Sequence, residues 1–405
     1  MTRTNRAASP AAGRRKVLIS GASVAGPVLA FWLHRYGYEV TVVEKAGAPR
    51  NGGYPIDIRG TALEVVRRMG ILPRLKDAHI ELRRLTFLQG GGDEVASLHP
   101  HAITGGVEGR DLEVRRGDLT AALYSTVRDD VEFVFDDSIS TMDQHEYGVD
   151  ITFHGGEARS FDVVLGADGT HSRTREMVFG PEERFRHYLG YCFAVFTMRN
   201  TLGLSHETVM WNSPGRAAAL YAVGEDDEVH AFLNVALPDP PDRAFGDIEA
   251  QRTLLTTAFR DVGWEVPTML AALRESDDLY FDAVSQIRMP RWSSGRVALA
   301  GDAAYAPSFL TGQGTSLALV GAYMLAGSLK GRYHNEGFAA YEHDTRNFVD
   351  LNQGLVGTGG ATLFPVTAEA LEQRNTRLRN LTAMPAREGR PAHSALTLPE
   401  FSLAT

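Results

Sequence analysis

An α/β fold is what this sequence predicts: a Rossmann-like parallel layer, interrupted by a mostly antiparallel β-sheet and closed by C-terminal helices. Three observations predict it. Between Lys16 and Glu44 an apolar strand, a glycine-rich turn, an apolar helix and a second strand follow one another in the order of a dinucleotide-binding βαβ unit. Between Arg184 and Ile287 the pattern changes to short alternating segments typical of an antiparallel sheet. At Arg296 to Ala300 a buried-strand pattern returns and runs into Gly301-Asp302, so the chain leaves the first layer and re-enters it.

The first unit is explicit. Val17, Leu18 and Ile19 form the strand, Gly21-Ala22-Ser23-Val24-Ala25-Gly26 the turn, and the helical pattern reaches Tyr36 before Val40, Val42 and Val43 lead to Glu44. Gly21 permits the tight turn and Gly26 lets the helix lie close on the strand, while unpaired N–H groups at the helix start face an incoming pyrophosphate. Ser23 stands where the usual G-x-G-x-x-G has its middle glycine. Glu44 follows Gly21 by 23 residues (44 − 21), where a carboxylate accepts hydrogen bonds from ribose hydroxyls.

The later elements follow in order. Ala48 to Gly53 reads as a loop, Tyr54 to Ile58 as a strand, and Thr61 to Met69 as a helix with Ala62, Val65, Val66 and Met69 on one face. Leu85 to Leu88 and Val95 to Leu98 form a hairpin about Gly90-Gly91-Gly92-Asp93, and a helix opens at Arg116. Strands are expected at Val131 to Phe135, Gly148 to Phe153 and Phe161 to Leu165. In the inserted sheet they are expected at Tyr191 to Met198, Thr208 to Trp211, Ala217 to Val223 and Val229 to Ala236. A helix at Ile248 to Phe259 precedes a Pro-bounded turn, Trp264-Glu265-Val266-Pro267. Phe338 to Leu351 and Thr367 to Leu381 close the chain as helices, separated by a break at Gly354 to Gly360, and the tail from Met384 is expected to be mobile.

Composition narrows the function classes. With 405 residues and 43% hydrophobic content the chain buries a sizeable core, and its net charge of −9 argues against a nucleic-acid partner. Apolar runs fall short of a membrane span, so no integral membrane association is expected. The single Cys192 allows no internal disulfide and no thiolate metal cluster, which fits a reducing, cytoplasmic setting. The arginine-bearing residues 1–15 lack the apolar core of a signal peptide and read as a flexible leader.

Three further motifs carry chemistry. Val114-Arg115-Arg116-Gly117-Asp118-Leu119 sets Arg116 at a helix start, where a guanidinium forks onto phosphate oxygens. Gly166-Ala167-Asp168-Gly169 ends a buried strand. Gly301-Asp302 ends another and continues through Gly312-Gln313-Gly314 into a helix from Thr315. An Asp at the carboxyl end of a parallel strand faces the nucleotide crevice, and a glycine-rich helix start cradles an electron-rich ring that gains charge on reduction.

In this order the motifs resemble those of the class A, para-hydroxybenzoate hydroxylase-like FAD-dependent monooxygenases, most similarly the tetracycline-inactivating and polyketide-tailoring branch. The resemblance covers about residues 15–350. It implies bound FAD, NADPH or NADH as a transient co-substrate, O2 as oxidant, and a Rossmann-like FAD-binding layer with an inserted, mostly antiparallel substrate sheet. The implied division is residues 16–183 for the FAD-binding domain, with part of the substrate layer near 80–110; 184–287 for the substrate domain; 288–351 for the FAD domain's second part; and 352–405 for a C-terminal helix and tail. By resemblance Gly21, Ser23, Val24, Ala25 and Gly26 cradle the FAD pyrophosphate, Glu44 holds the ribose beside Lys45, and Arg116 contacts FAD. Asp302 binds the ribityl chain, and Gly312, Gly314 and Thr315 approach the isoalloxazine. Asp168 is associated with both FAD and the nicotinamide cofactor, Asp57 with the flavin side, and Arg50 with the nicotinamide nucleotide. Ser316 stands where relatives often have Asn.

The implied reaction inserts one oxygen atom from O2, by way of a flavin C4a-hydroperoxide, into a bulky aromatic or polyketide-like molecule by hydroxylation or Baeyer–Villiger-type insertion. No protein triad is then required, because the cofactor carries the hard chemistry. Phe193, Phe196, Met210, Trp211, Tyr221 and Phe232 are the candidates to line the substrate pocket, and His187, His206 or His230 to deprotonate a phenol. Two rival readings are a flavin-dependent halogenase, for which Gly263-Trp264-Glu265-Val266-Pro267 supplies only one of a required pair of tryptophans, and a flavoprotein that sequesters a small molecule without turnover.

Overall fold

A computed structural model describes residues 14–49, 54–107, 109–241, 246–381 and 389–402. The chain opens with β1 (Lys16–Ser20), α1 (Ala25–Arg35), β2 (Glu39–Glu44) and β3 (Pro55–Ile58), then α2 (Thr61–Arg68), α3 (Leu72–Asp77), β4 (Arg84–Gln89), β5 (Asp93–Leu98) and α4 (His101–Thr104). Next come β6 (Leu112–Arg115), α5 (Arg116–Ser125), β7 (Glu132–Phe135), β8 (Ile139–His145), β9 (Gly148–Phe153), β10 (Ala158–Phe161), β11 (Val163–Gly166) and α6 (Arg173–Phe179). The inserted part contains β12 (Arg186–Arg199), β13 (Glu207–Ser213), β14 (Arg216–Ala222), β15 (Glu228–Ala236), α7 (Ile248–Phe259), α8 (Val266–Glu275) and β16 (Tyr280–Ile287). The chain closes with β17 (Ser293–Ser294), β18 (Val297–Leu299), α9 (Asp302–Tyr305), α10 (Gly314–Leu329), α11 (His334–Gln353), α12 (Val356–Leu363) and α13 (Ala368–Arg379).

The nucleotide layer is a six-stranded sheet in the order β17-β18-β11-β1-β2-β7, parallel except for the β17–β18 edge. Alternation along β1 explains how both of its faces are covered. Val17 and Ile19 join the core built with α1 and α10, whereas Leu18 joins Val149, Ile151 and Phe153 of the three-stranded sheet β10-β9-β8. Helix α10, apolar on all sides, is buried from Ser316 to Leu329.

The second layer is a seven-stranded sheet, β16-β12-β15-β14-β13-β4-β5, antiparallel except where β13 runs parallel to β4. One face carries Trp211, Phe196, Leu220 and Leu233 against Leu255 and Phe259 of α7 and Met269 and Leu273 of α8. The opposite face looks toward the nucleotide layer.

Several expectations require correction. The Trp264 to Pro267 segment leads directly into α8, with Pro267 in the helix's first turn, where a missing N–H costs nothing. The Gly354 to Gly360 segment is largely helical, because α12 spans Val356–Leu363. A Cβ on Gly359 would lie 2.0 Å from the Leu310 carbonyl oxygen, so glycine here serves close helix packing. The described part of the tail is docked. Leu398 is buried in the core, and Thr61, Arg68 and Tyr323 donate to the carbonyls of Leu396 and Pro399. The rest of residues 1–15 before Arg14 lies outside the described residues.

Candidate active site

The β1–α1 turn is built on two close approaches. Gly21 has φ of +103°, and a Cβ there would fall 2.5 Å from the Ala167 carbonyl oxygen; one on Gly26 would fall 1.8 Å from the Gly21 oxygen. Glu44 braces the same turn, its carboxylate accepting the N–H groups of Ala22 (2.8 Å) and Ala46 (3.0 Å). Ser23 has a purpose of its own, because Arg116 at the start of α5 donates to its hydroxyl at 2.9 Å. The substitution for glycine therefore ties a guanidinium to the β1–α1 turn.

Two strand ends converge opposite. The Asp168 carboxylate accepts from Ser172 Oγ, Thr174 N and Thr174 Oγ1, so it orders its own loop and the start of α6. Fully buried Arg175 reaches from α6 to the carbonyls of Ala303 and Thr170 and to Glu182, fastening that loop to the turn that carries Asp302. Asp302 faces the crevice. Burial raises its carboxyl above the usual range, and the Arg116 guanidinium opposes the shift.

A cavity of about 730 Å³ runs from this turn to the inner face of the seven-stranded sheet. Gly21, Ser23, Val24, Ala25, Glu44, Lys45, Arg116 and Asp168 line one end, Asp57, Asp302, Gly312, Gly314 and Thr315 its middle, and Phe193, Met210, Tyr221 and Phe232 the far end. Gly26 lies behind the turn, and Arg50 lies outside the described residues. Trp211 is the correction: it does not line the cavity. Strand alternation turns it to the helix-covered face, where its Nε1–H donates to the Gly90 carbonyl at 2.8 Å, while its neighbour Met210 faces the cavity. Phe196 is buried on the helix side for the same reason.

The sheet face is organised in register rows. Asp282, Phe193, Asn234 and Ala217 form one; Phe232, Ala219 and Met210 the next; Tyr221 and Thr208 a third. Its centre is apolar and both ends carry polar groups. Phe309 packs on Phe193 at 4.7 Å and on Phe364 at 5.9 Å, extending the aromatic wall with residues from outside the inserted sheet.

None of the three histidines expected as bases lines the cavity; His206 contacts the Glu81 carbonyl, and burial holds His230 below its ordinary range. The cavity's histidine is His171, which the sequence reading missed. It bridges Asp282 (3.3 Å) and Glu182 (3.1 Å), linking the Asp168 loop to β16, and these hydrogen bonds push its pKa up to about 10. Such a charge stabilises the fold fully below the ordinary value of 6.5 and ceases to do so as pH rises through about 10. Comparing urea midpoints of the wild type and His171→Asn should show a small wild-type advantage at pH 6 that shrinks between pH 6.5 and about 10. The advantage is small because 56% of the side chain is exposed and the pair is screened. An advantage that grows with pH would refute the charge assignment.

Residues present in the cleft fit FAD: a turn that admits no Cβ at Gly21 or Gly26, a carboxylate at the end of β2, a tethered arginine and a buried aspartate. Fold and cleft define the class, a flavin-dependent oxidoreductase. The chain belongs to the family described as FAD binding domain, which matches residues 14–352. It is 43% identical over 366 residues to an uncharacterized protein of Mycobacterium tuberculosis, covering 89% of this chain and 97% of the relative. A flavin-dependent monooxygenase of Legionella longbeachae is 34% identical over 395 residues, 95% of this chain and 98% of its own. The crystal structure of tetracycline destructase Tet(55) superposes with a TM-score of 0.82 at 34% identity, over 96% of this chain and 99% of that one. The protein is accordingly an enzyme, an FAD-dependent oxidoreductase of the monooxygenase type. Among the described residues no helix is long and apolar enough to cross a membrane, and no cluster of metal-ligating residues is found.

Proposed function

We propose that this enzyme consumes NADPH or NADH and O2 to insert one oxygen atom into a bulky aromatic or polyketide-like molecule, with tetracyclines as the first class to test. The observation that carries the reading is the continuity of one cavity from the phosphate-facing turn to an aromatic sheet face. Bound FAD supplies the activated oxygen. In the overall balance two electrons come from the nicotinamide cofactor, one oxygen atom enters the substrate and the other leaves as water.

The chain's own contribution is binding, orientation and exclusion of water. The α1 N-terminus and Arg116 suit the pyrophosphate, Glu44 the ribose, Asp302 the ribityl chain, and the α10 start at Gly314 and Thr315 the ring that gains negative charge. Phe193, Phe232, Phe309 and Phe364 offer flat apolar surface to a planar substrate and keep water from it.

Purified protein mixed with NADPH or NADH and tetracycline or simpler phenols should show substrate-dependent cofactor oxidation and a product heavier by one oxygen atom. Tight ligand binding with no cofactor oxidation would support sequestration instead, and halide-dependent product the halogenase. Asp302→Asn should weaken FAD binding about ten- to a hundredfold, the loss of charge-assisted hydrogen bonds amounting to roughly 1.5–3 kcal/mol. The same change should make the FAD-free protein more stable at neutral pH, because it removes a carboxylate whose ionised form burial disfavours. Unchanged FAD affinity in this variant would take Asp302 out of the cofactor site.

A further inference from the structure

The turn that carries Asp302 is gripped from behind by two glutamines. The side-chain amide of Gln353 in α11 donates to the carbonyls of Ile287, Tyr305 and Ala306 at 2.8, 3.1 and 3.3 Å. Gln286 of β16, fully buried, donates to the carbonyls of Pro307 and Gln353, both at 2.9 Å, while its Oε1 accepts from Arg288 at 2.9 Å. An amide with two carbonyls on one side and a guanidinium on the other has only one satisfactory orientation. The Ile287 N–H adds a further bond to the Ala306 carbonyl at 3.0 Å. Every carbonyl from Tyr305 to Pro307 is therefore fixed by the end of β16 and by α11.

The next residue is strained. Ser308 has φ of +73° and ψ of 147°, a backbone region that disfavours any residue with a Cβ. No cis peptide is present among the described residues, so the N–H of the Pro307–Ser308 peptide points away from the carbonyl that Gln286 holds. Pro307, Ser308 and Phe309 all line the cavity, in the stretch between Asp302 and Gly312, and Phe309 begins the aromatic wall. Among the described residues the Ser308 N–H donates to no protein group. A backbone N–H in that position is met by water or by a ligand.

We propose that Gln286 is a positioning residue that holds the Pro307–Ser308 peptide against its strain, so that the Ser308 N–H faces the cavity and donates to the oxygen that carries negative charge during oxygen transfer. This rests on the monooxygenase reading and adds a donor to that site. As the oxygen–oxygen bond breaks, one oxygen bonds to the substrate. The bonding electron pair stays with the other, which takes a proton and leaves as water. An N–H already in place stabilises that charge without reorganising, and it does so most effectively where water is excluded. Without the grip of Gln286 the peptide would turn over, relieving Ser308 and withdrawing the donor.

The test uses FAD-loaded wild type, Gln286→Met and Ser308→Gly, with flavin content and melting temperature recorded for each. The probe is bromide, a monoanion that stands in for the charged oxygen and scatters X-rays anomalously. Bromide should perturb the wild-type flavin absorbance saturably. Crystals of the holoenzyme soaked in bromide should show an anomalous peak within hydrogen-bond reach of the Ser308 nitrogen. Gln286→Met, close to glutamine in length but unable to hold the carbonyl, should bind bromide about tenfold more weakly, one hydrogen bond's worth. In turnover it should lower kcat and the coupled fraction while KM for the substrate stays as in the wild type, because no substrate contact is lost. Ser308→Gly removes the strained Cβ and should melt at a higher temperature. A wild-type flavin indifferent to bromide, bromide seated away from Ser308, or equal bromide affinity in Gln286→Met and wild type overturns the proposal. If Gln286→Met does not fold, Gln286→Glu keeps the size and the acceptor for Arg288 but not the donor, and the wild-type bromide map decides by itself. The bromide readouts need no turnover, so an enzyme that oxidises neither NADPH nor NADH with any substrate defeats the monooxygenase reading separately.

Discussion

Gly26→Ala is expected to yield protein almost devoid of FAD. The added Cβ would fall 1.8 Å from the Gly21 carbonyl oxygen, a backbone atom that cannot yield as the end of a flexible side chain can. Helix α1 must then move off β1, and all of its residues from Ala25 to Leu33 are buried. Overpacking of this kind typically costs about 1–3 kcal/mol, and it also withdraws the helix N-terminus from the phosphates. The flavin-to-protein absorbance ratio after purification, with a melting curve beside it, measures both effects. Ser23→Gly is the informative contrast, since it leaves the helix in place and removes only the charge-assisted hydrogen bond from Arg116, worth roughly 1.5–3 kcal/mol. Equal FAD content in Gly26→Ala and wild type would show that the turn does not hold the cofactor.

Trp211→Ala is expected to destabilise the protein by roughly 3–5 kcal/mol, the usual cost of emptying a buried aromatic site. The residue is 4% exposed, packs against the helix-covered core and donates to Gly90. Phe193→Ala, three strands away on the opposite face, should act differently. It removes part of the cavity wall, weakening substrate binding and lowering the fraction of NADPH or NADH oxidation that ends in product, because loosely held substrate misses the near-contact geometry that oxygen transfer needs. Urea unfolding and coupling measurements on both variants separate the roles. A stable Trp211→Ala enzyme with impaired substrate binding would reverse the assignment of the two faces.

Legibility in the sequence followed locality. The Gly21–Gly26 turn, Glu44, Arg116 and the Gly301-Asp302 and Gly312-Gln313-Gly314 segments were visible because each is a short pattern whose glycine or charge answers a need within a few residues. The choice of Met210 over Trp211 was not visible, since both are large, apolar and adjacent. Strand alternation says only that they face opposite ways, and which way depends on where α7 and α8 pack. Helix α12 was hidden by its glycines, whose low helix propensity is outweighed by the close approach of Gly359 to Leu310. That helix carries Leu363 to the cavity and is followed there by Phe364, so the miss concealed part of the wall. His171 has no signal in its neighbours because its partners, Asp282 and Glu182, are 111 and 11 residues away.

By itself the sequence determined the α/β class and the order of the glycine- and charge-bearing motifs, because backbone turns and helix starts are set by nearby residues, and the resemblance those motifs carry added the expectation of FAD. Tertiary structure decided which sheet face lines the cavity, which aromatics form its wall, and that Glu113 and Tyr221 meet although they come from separate strands. The reason is physical. A strand's two faces are equivalent until another layer covers one of them, and a buried carboxyl acquires its proton affinity from charges and hydroxyls that only folding brings within reach.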